Sequence, residues 1–261
     1  MNGAHGRAAV ITGVSRSGGI GAAIAKRLAA DGARLFLTGW SPHDAGQPWG
    51  EDPDGGERIS AELRRAGARV EYLSADLVDP AAPRQVISAA RAALGPVDVL
   101  VANHARSSRQ SLDEVTAAEL DLSFAVNARA TLLLARHFVE QHNRARGGRI
   151  VLFTSGQYHG AMPEELPYIA SKAVLQQLTA SLAVALAPRA ITVNCVNPGP
   201  NDTGYATQEV RSRVAQAVPG GRWGQPDDAA RLVAWLCSDE AEWVNGQTIA
   251  SDGGWSARGA S

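Results

Sequence analysis

Lysine is almost missing from this chain: only Lys26 and Lys172 occur in 261 residues, and arginine supplies nearly all the other positive charge. Cysteine is equally scarce. Cys195 and Cys237 show no CxxC or zinc spacing and each sits in an apolar segment, so two small reduced core residues are expected rather than a disulfide or a metal site. Neither sign of charge dominates, with 25 Lys plus Arg against 26 Asp plus Glu and a formal net charge of −1. The interspersed charges form no basic stripe of the kind that binds nucleic acid or an anionic membrane. No apolar run approaches the roughly 18 residues of a spanning helix. The opening Met1–Gly6 has neither the basic nor the apolar region of a secretory leader. These shortages lead to the expectation of a cytoplasmic protein with no metal, no membrane and no nucleic-acid partner.

What remains is an ordinary globular composition, 45% hydrophobic and 20% charged. Strand-like and helix-like patterns alternate along it. Extended segments are expected at 8–12, 34–38, 70–74, 97–101, 149–154, 191–196 and 247–251. Helices are expected at 20–30, 57–66, 83–94, about 116–141, 168–186 and 227–237. Several strands are apolar throughout, which suits parallel strands covered on both faces. Repeated βα units then predict an α/β fold, an open doubly wound parallel sheet with helices on both faces, in one domain spanning residues 1–261. Residues 40–56 break the rhythm. Three prolines and four glycines there predict neither helix nor strand, and so long a connection reads equally well as a functional segment or a solvated insertion.

Tyr168 stands four residues before Lys172. On a helix the two side chains share a face, and an ammonium beside a phenol is expected to pull its pKa down from about 10. The plainer alternative is a buried tyrosine beside a snorkelling lysine. Upstream, Thr12-Gly-Val-Ser-Arg-Ser-Gly-Gly-Ile-Gly21 links the first strand to the first helix. Glycines there allow a tight turn whose backbone N–H groups can approach a pyrophosphate at the helix N-terminus. At the end of the second strand an NAD site usually carries an acid. Here Thr38, Gly39, Trp40 and Ser41 supply none before Asp44, and Arg16 could pair with a 2′-phosphate. NADP(H) is therefore preferred, with NAD(H) as the alternative.

Together these features resemble the short-chain dehydrogenase/reductase family over about residues 6–254. The family's T-G-x-x-x-G-x-G motif is similar to Thr12, Gly13, Gly19 and Gly21, with two additional residues inside the loop. Asp76 matches the acid that contacts adenine, and Ala102-Asn103-His104-Ala105 matches the N-N-A-G motif, with His104 a departure. The catalytic Asn, Ser, Tyr and Lys resemble Asn127, Ser155, Tyr168 and Lys172. Pro198, Gly199 and Thr203 resemble the segment that holds the nicotinamide carboxamide. The Trp223-Gly-Gln-Pro and Asp252-Gly-Gly254 stretches are family-like too.

The resemblance implies a Rossmann-like fold and hydride transfer between a nicotinamide and a carbonyl or secondary alcohol. It implies Tyr168 as proton donor or acceptor, Lys172 on the nicotinamide ribose, Ser155 on the substrate oxygen and Asn127 holding a relay water. Cofactor contacts are expected from Gly13, Ser15, Arg16, Gly19, Ile20, Gly21, Trp40, Asp76, Leu77, Asn103, Tyr168, Lys172, Pro198, Gly199 and Thr203. Substrate contacts are expected from Ser155, Gln157, Tyr158, Tyr168 and Tyr205. A ketone or 3-oxoacyl substrate is preferred, in the 3-oxoacyl reductase-like branch, with an NAD-linked alcohol or polyol dehydrogenase as alternative. A non-catalytic dinucleotide sensor is the alternative of another class. Enoyl reductases of the family space their tyrosine and lysine more widely. A homo-oligomer, tetramer or dimer, is implied through helices 116–141 and 168–186.

Overall fold

Seven strands, all parallel, lie in the order β3-β2-β1-β4-β5-β6-β7 in the computed structural model, which describes residues 4–143, 145–204 and 206–258. They are β1 (Ala8–Thr12), β2 (Arg34–Gly39), β3 (Val70–Ser74), β4 (Val99–Ala102), β5 (Gly148–Phe153), β6 (Ile191–Asn197) and β7 (Thr248–Ala250). Every residue of β1, β4, β5 and β6 is buried, which is why these strands read as continuous apolar runs. Helices cover both faces. α1 (Ile20–Ala30), α2 (Gly55–Arg65) and α8 (Pro226–Leu236) bury Ile24, Leu28, Ile59 and Val233 in one core layer. α3 (Ala82–Leu94), α5 (Thr131–Gln141) and α6 (Leu166–Leu186) bury Val86, Leu134, Phe138 and Ala183 in the other. Each large side chain so buried contributes about 1.5–3 kcal/mol. The strand order reverses direction between β1 and β4, so the loops after these two strands diverge and open a crevice at the carboxyl edge.

Three elements differ from expectation. The long helix is continuous from 117 to 141 but is not α throughout. After α4 (Ala117–Ser123), residues Phe124–Ala130 wind as a π segment before α5 resumes. Helix α2 begins at Gly55, two residues earlier than the composition suggested. A Cβ at Gly55 would sit 2.0 Å from the Ser15 carbonyl, and one at Gly56 would sit 2.2 Å from the Tyr72 ring. These glycines serve close packing, not a breaker role, and a short 3-10 turn at Asp44–Gly46 also forms inside the segment. α7 (Gln208–Ala217) was not anticipated; it buries no residue, so it carries no apolar stripe, and Thr207 caps it by accepting from Val210 N.

Helix α6 extends back to Leu166 with Pro167 in its first turn. Its inner face is Ser171, Lys172, Leu175, Thr179 and Ala183, while Leu178, Leu182 and Leu186 lie half-buried beside it. Residues Leu166–Arg189 reach a mean hydropathy of 1.3 over an 18-residue window, long and apolar enough by composition to cross a membrane, contrary to the sequence expectation. In the fold this helix packs on β5 and β6.

Candidate functional site

The crevice is built around the glycine loop. Gly13 has a positive φ of 73°, and a Cβ at Gly21 would lie 2.4 Å from the Gly13 carbonyl, so the loop folds on itself only because both lack side chains. Asn103, at the end of β4, locks it by donating Nδ2 to the carbonyls of Thr12 (3.1 Å) and Gly13 (3.2 Å). The two additional residues are absorbed in a turn in which Gly19 N donates to Arg16 O. Gly19 then caps α1 without a side-chain acceptor, and no acid occupies the first helical turn. Those free N–H groups and the helix dipole suit an anion.

Beyond the loop, a cavity of about 300 Å3 is lined by Gly13, Ser15, Thr38, Gly39, Trp40, Asp76 and Leu77, among others. Thr38 Oγ1, and His43 Nε2 at the same cavity, are buried without a hydrogen-bond partner among the described residues. Orphaned polar atoms at the end of β2 fit the hydroxyl-rich end of a dinucleotide. Asp76 also accepts from Val78 N (2.9 Å), a local turn. Sequence reasoning missed Asp44. It is only 7% exposed, accepts from Ser15 Oγ at 2.9 Å, and lines this cavity. The residues needed to bring it there lie in the segment between 40 and 56, whose course no local pattern reveals.

Arg16 points the other way. Its Nη1 donates to Thr203 O at 2.9 Å and its guanidinium lies 5.0 Å over the Trp49 ring. It lines the two cavities on the Tyr168 side and not the cavity at the end of β2. The expected pairing with a 2′-phosphate requires this side chain to leave Thr203.

A second cavity, about 240 Å3, joins Gly13, Ser15, Gly19, Ile20 and Asn103 to Tyr168, Lys172, Pro198 and Thr203. Lys172 is 2% exposed, and its Nζ donates to the carbonyls of Phe153 (3.0 Å) and His104 (3.4 Å). Burial lowers its pKa to about 8. The Tyr168 phenol is pushed above its ordinary value by burial, against a lowering hydrogen bond from the Ser155 side chain. The expected depression by Lys172 is therefore corrected: in this state the ammonium is committed to two main-chain carbonyls, and loss of solvent outweighs every favourable contact on the phenol. Tyr168 and Ser155 are neighbours, as the resemblance implied.

Asn127 lies fully buried in the π segment. Its Oδ1 accepts from Arg106 N (2.7 Å), and its Nδ2 donates to Ser171 Oγ (2.8 Å) and Arg106 O (3.1 Å). The side chain thus ties the loop after β4 to α6, one residue from Lys172. His104 is buried nearby, and burial with the Lys172 charge lowers its pKa to about 3.

A third cavity, about 570 Å3, opens in front of Ser155 and Tyr168 and reaches Gly199, Thr203, Ser107 and Met162. Gln157 and Tyr158 do not line it. Gln157 turns back, its Oε1 accepting from Ser155 N (3.1 Å) and its Nε2 donating to Thr154 Oγ1 (2.9 Å). Tyr158 turns to Asn197, whose Nδ2 donates to its hydroxyl at 3.3 Å. Tyr205 lies outside the described residues. Gln47, Pro48 and Trp49 line the cavity unanticipated. Among the described residues no cluster suited to a metal ion occurs, and both cysteines are free and buried.

The profile described as enoyl-(acyl carrier protein) reductase matches residues 13–256. The chain is 40% identical over 256 residues to the uncharacterized oxidoreductase YjdA of Bacillus subtilis, covering 97% of this chain and 98% of that protein. It is 34% identical to the chloroplastic NADPH-dependent aldehyde reductase-like protein of Arabidopsis thaliana, covering 96% and 94%. The solved structure of a short-chain dehydrogenase/reductase from Serratia marcescens superposes with a TM-score of 0.86 at 32% identity, covering 97% of this chain and 98% of that one.

Proposed function

Because the chain belongs to the short-chain dehydrogenase/reductase family and is an oxidoreductase of that type, we propose that it is an NADP(H)-dependent reductase of a ketone or 3-oxoacyl compound. The observation that carries this reading is geometric: the Tyr168 phenol and Ser155 converge on one cavity of about 570 Å3. A phenol beside a serine hydroxyl supplies a proton donor and a hydrogen-bond donor to one oxygen, which is what carbonyl reduction asks of them. When bound, the nicotinamide supplies the hydride. Ser155 Oγ hydrogen-bonds the substrate oxygen as negative charge develops, and Tyr168 protonates that oxygen. Lys172 would hold the nicotinamide ribose with the one N–H left over from Phe153 and His104. Asn127 keeps the loop carrying Arg106 and the helix carrying Lys172 in register.

Gly13, Ser15, Gly19 and Ile20 would receive the pyrophosphate at the α1 N-terminus, with Gly21 and Asn103 shaping the loop. Trp40, Asp76 and Leu77 would surround the adenosine, and Pro198, Gly199 and Thr203 the carboxamide. The NADP(H) preference is supported by the NADPH-dependent Arabidopsis relative and by Arg16, a cation within the glycine loop. One observation favours a second reading, an NAD-dependent alcohol or polyol dehydrogenase: the Asp44 carboxylate beside Ser15 sits where a ribose hydroxyl could donate to it. A dinucleotide sensor has no comparable support, since the full Ser, Tyr and Lys set is assembled. We further propose a single-domain, cytoplasmic homo-oligomer, dimer or tetramer. Val184 of α6 is 76% exposed in the isolated chain and would be covered in such an assembly.

The test is fluorescence titration with NADPH and NADH, followed by cofactor consumption with ketones, 3-oxoacyl and enoyl thioesters, and secondary alcohols. Tighter NADPH binding and turnover of the keto compounds are expected. Turnover confined to enoyl thioesters, or to alcohols with NAD+, would overturn the reading.

A further inference from the structure

The segment between β2 and α2 reaches further than the end of its own strand. Gln47, Pro48 and Trp49 form part of the wall of the cavity that contains Ser155 and Tyr168. Trp49 is held there by a short relay. Its Nε1 donates to Asp44 Oδ1 at 2.7 Å, and Asp44 Oδ2 accepts from Ser15 Oγ at 2.9 Å. Arg16 stacks over the indole and is itself fastened to Thr203 O across the crevice. Further along, Arg58 pairs with Asp52 at 2.5 Å and donates to Ser17 Oγ at 3.1 Å. The segment is therefore tied to the glycine loop at Ser15 and Arg16, and Arg58 of α2 bridges its Asp52 to Ser17. A solvated insertion would need none of these contacts.

Such a wall has a chemical preference. An indole fixed through its N–H and stacked by a guanidinium presents a rigid aromatic surface, with Ile20, Met162 and Val210 completing the apolar lining. A flat ring packs on it without losing rotamer freedom, whereas a flexible chain of similar size must give up several torsions.

We propose that Trp49 is a specificity-determining residue of the reductase site, positioned by Asp44, that selects ketones carrying an aromatic ring close to the carbonyl. The proposal rests on the reductase reading above. Asp44 acts through the indole and is a positioning residue.

The experiment compares benzylacetone with its cyclohexyl counterpart, which share a carbonyl environment and differ in a flat against a puckered ring. At saturating cofactor the native enzyme should favour benzylacetone in kcat/KM by about tenfold, the upper range of an aromatic pair. Trp49→Ala should bring the ratio close to one, chiefly by raising KM for benzylacetone, and Trp49→Phe should keep most of the preference. Asp44→Ala should lose part of it, and Asp44→Asn should restore it, because the amide oxygen still accepts from the indole N–H. Circular dichroism and cofactor titration identify any variant that has lost its fold, and the Phe and Asn variants then carry the comparison. A ratio that is unchanged in Trp49→Ala, or a parallel fall for both ketones, overturns the proposal. Failure of the native enzyme to reduce any carbonyl despite binding cofactor overturns the reductase reading first, and this proposal with it.

Discussion

His104 Nε2 lies 3.0 Å from the carbonyl of Val126, a residue of the π segment. Since Val126 O can only accept, Nε2 carries the proton, and Nδ1 is left to accept from Thr12 Oγ1 at 2.6 Å. The ring thereby joins the end of β1 to the long helix, while its own main-chain carbonyl receives Lys172. The family motif's small residue is replaced here by a side chain that braces the helix turn carrying Asn127.

Removing the ring should cost stability. His104→Ala leaves the Val126 carbonyl and the Thr12 hydroxyl buried with a lost partner, a loss of about 1–3 kcal/mol, measurable by urea unfolding. The imidazole also stays neutral in the fold because its pKa is lowered to about 3. The unfolded chain binds that proton near the ordinary 6.5 and the folded chain does not, so stability is lost as pH falls from 6.5 towards 3. His104→Asn should flatten that acid limb; an unaltered pH dependence would contradict the assignment.

Tyr168→Phe should lower carbonyl reduction by at least about a thousandfold while NADPH titration changes little, because the phenyl ring keeps the packing and only the proton is lost. Ser155→Ala should lower kcat by about a hundredfold or more, the usual cost of an oxyanion donor. Steady-state kinetics on one ketone checks both, and substantial activity in the phenylalanine variant would refute the proton-donor role.

Lys172 should make activity and stability move in opposite directions with pH. Its ammonium is disfavoured in the fold, with a pKa lowered by burial to about 8 from 10.5. Above pH 8 the ammonium is lost and reductase kcat should decline. Over the same interval the unfolded chain binds more protons than the folded one, so resistance to urea should rise until about pH 10.5. Lys172→Arg, whose cation does not titrate there, should lose both trends.

Arg16→Ala separates two roles for its guanidinium. If it leaves Thr203 to meet a 2′-phosphate, NADPH affinity should fall about tenfold or more and NADH affinity little, as expected for a charge-assisted hydrogen bond. Equal weakening of both cofactors, read by fluorescence titration, would instead assign it to bracing Trp49 and Thr203.

Much of this protein was readable from local pattern. The strands appeared as apolar runs because both faces of the sheet are covered, and the order of motifs placed Ser155, Tyr168 and Lys172 along two adjoining cavities that share Tyr168. The π segment was not readable, since no local periodicity marks it and the contact it makes at Val126 comes from a histidine more than twenty residues upstream. Helix α7 was missed because it buries nothing. Gln157 and Tyr158 were placed at the substrate by proximity along the chain, which does not say which way a short turn faces.

The order of strands and helices, the glycine turn and the identity of the reacting side chains followed from the chain itself, because periodicity and backbone freedom act between near neighbours. Three further properties were decided by tertiary structure: the upward shift that burial gives the Tyr168 phenol, the direction of Arg16, and the arrival of Asp44 and Trp49 at the crevice. Each depends on how much water is excluded and on which distant groups meet, and neither quantity is written in the spacing of residues.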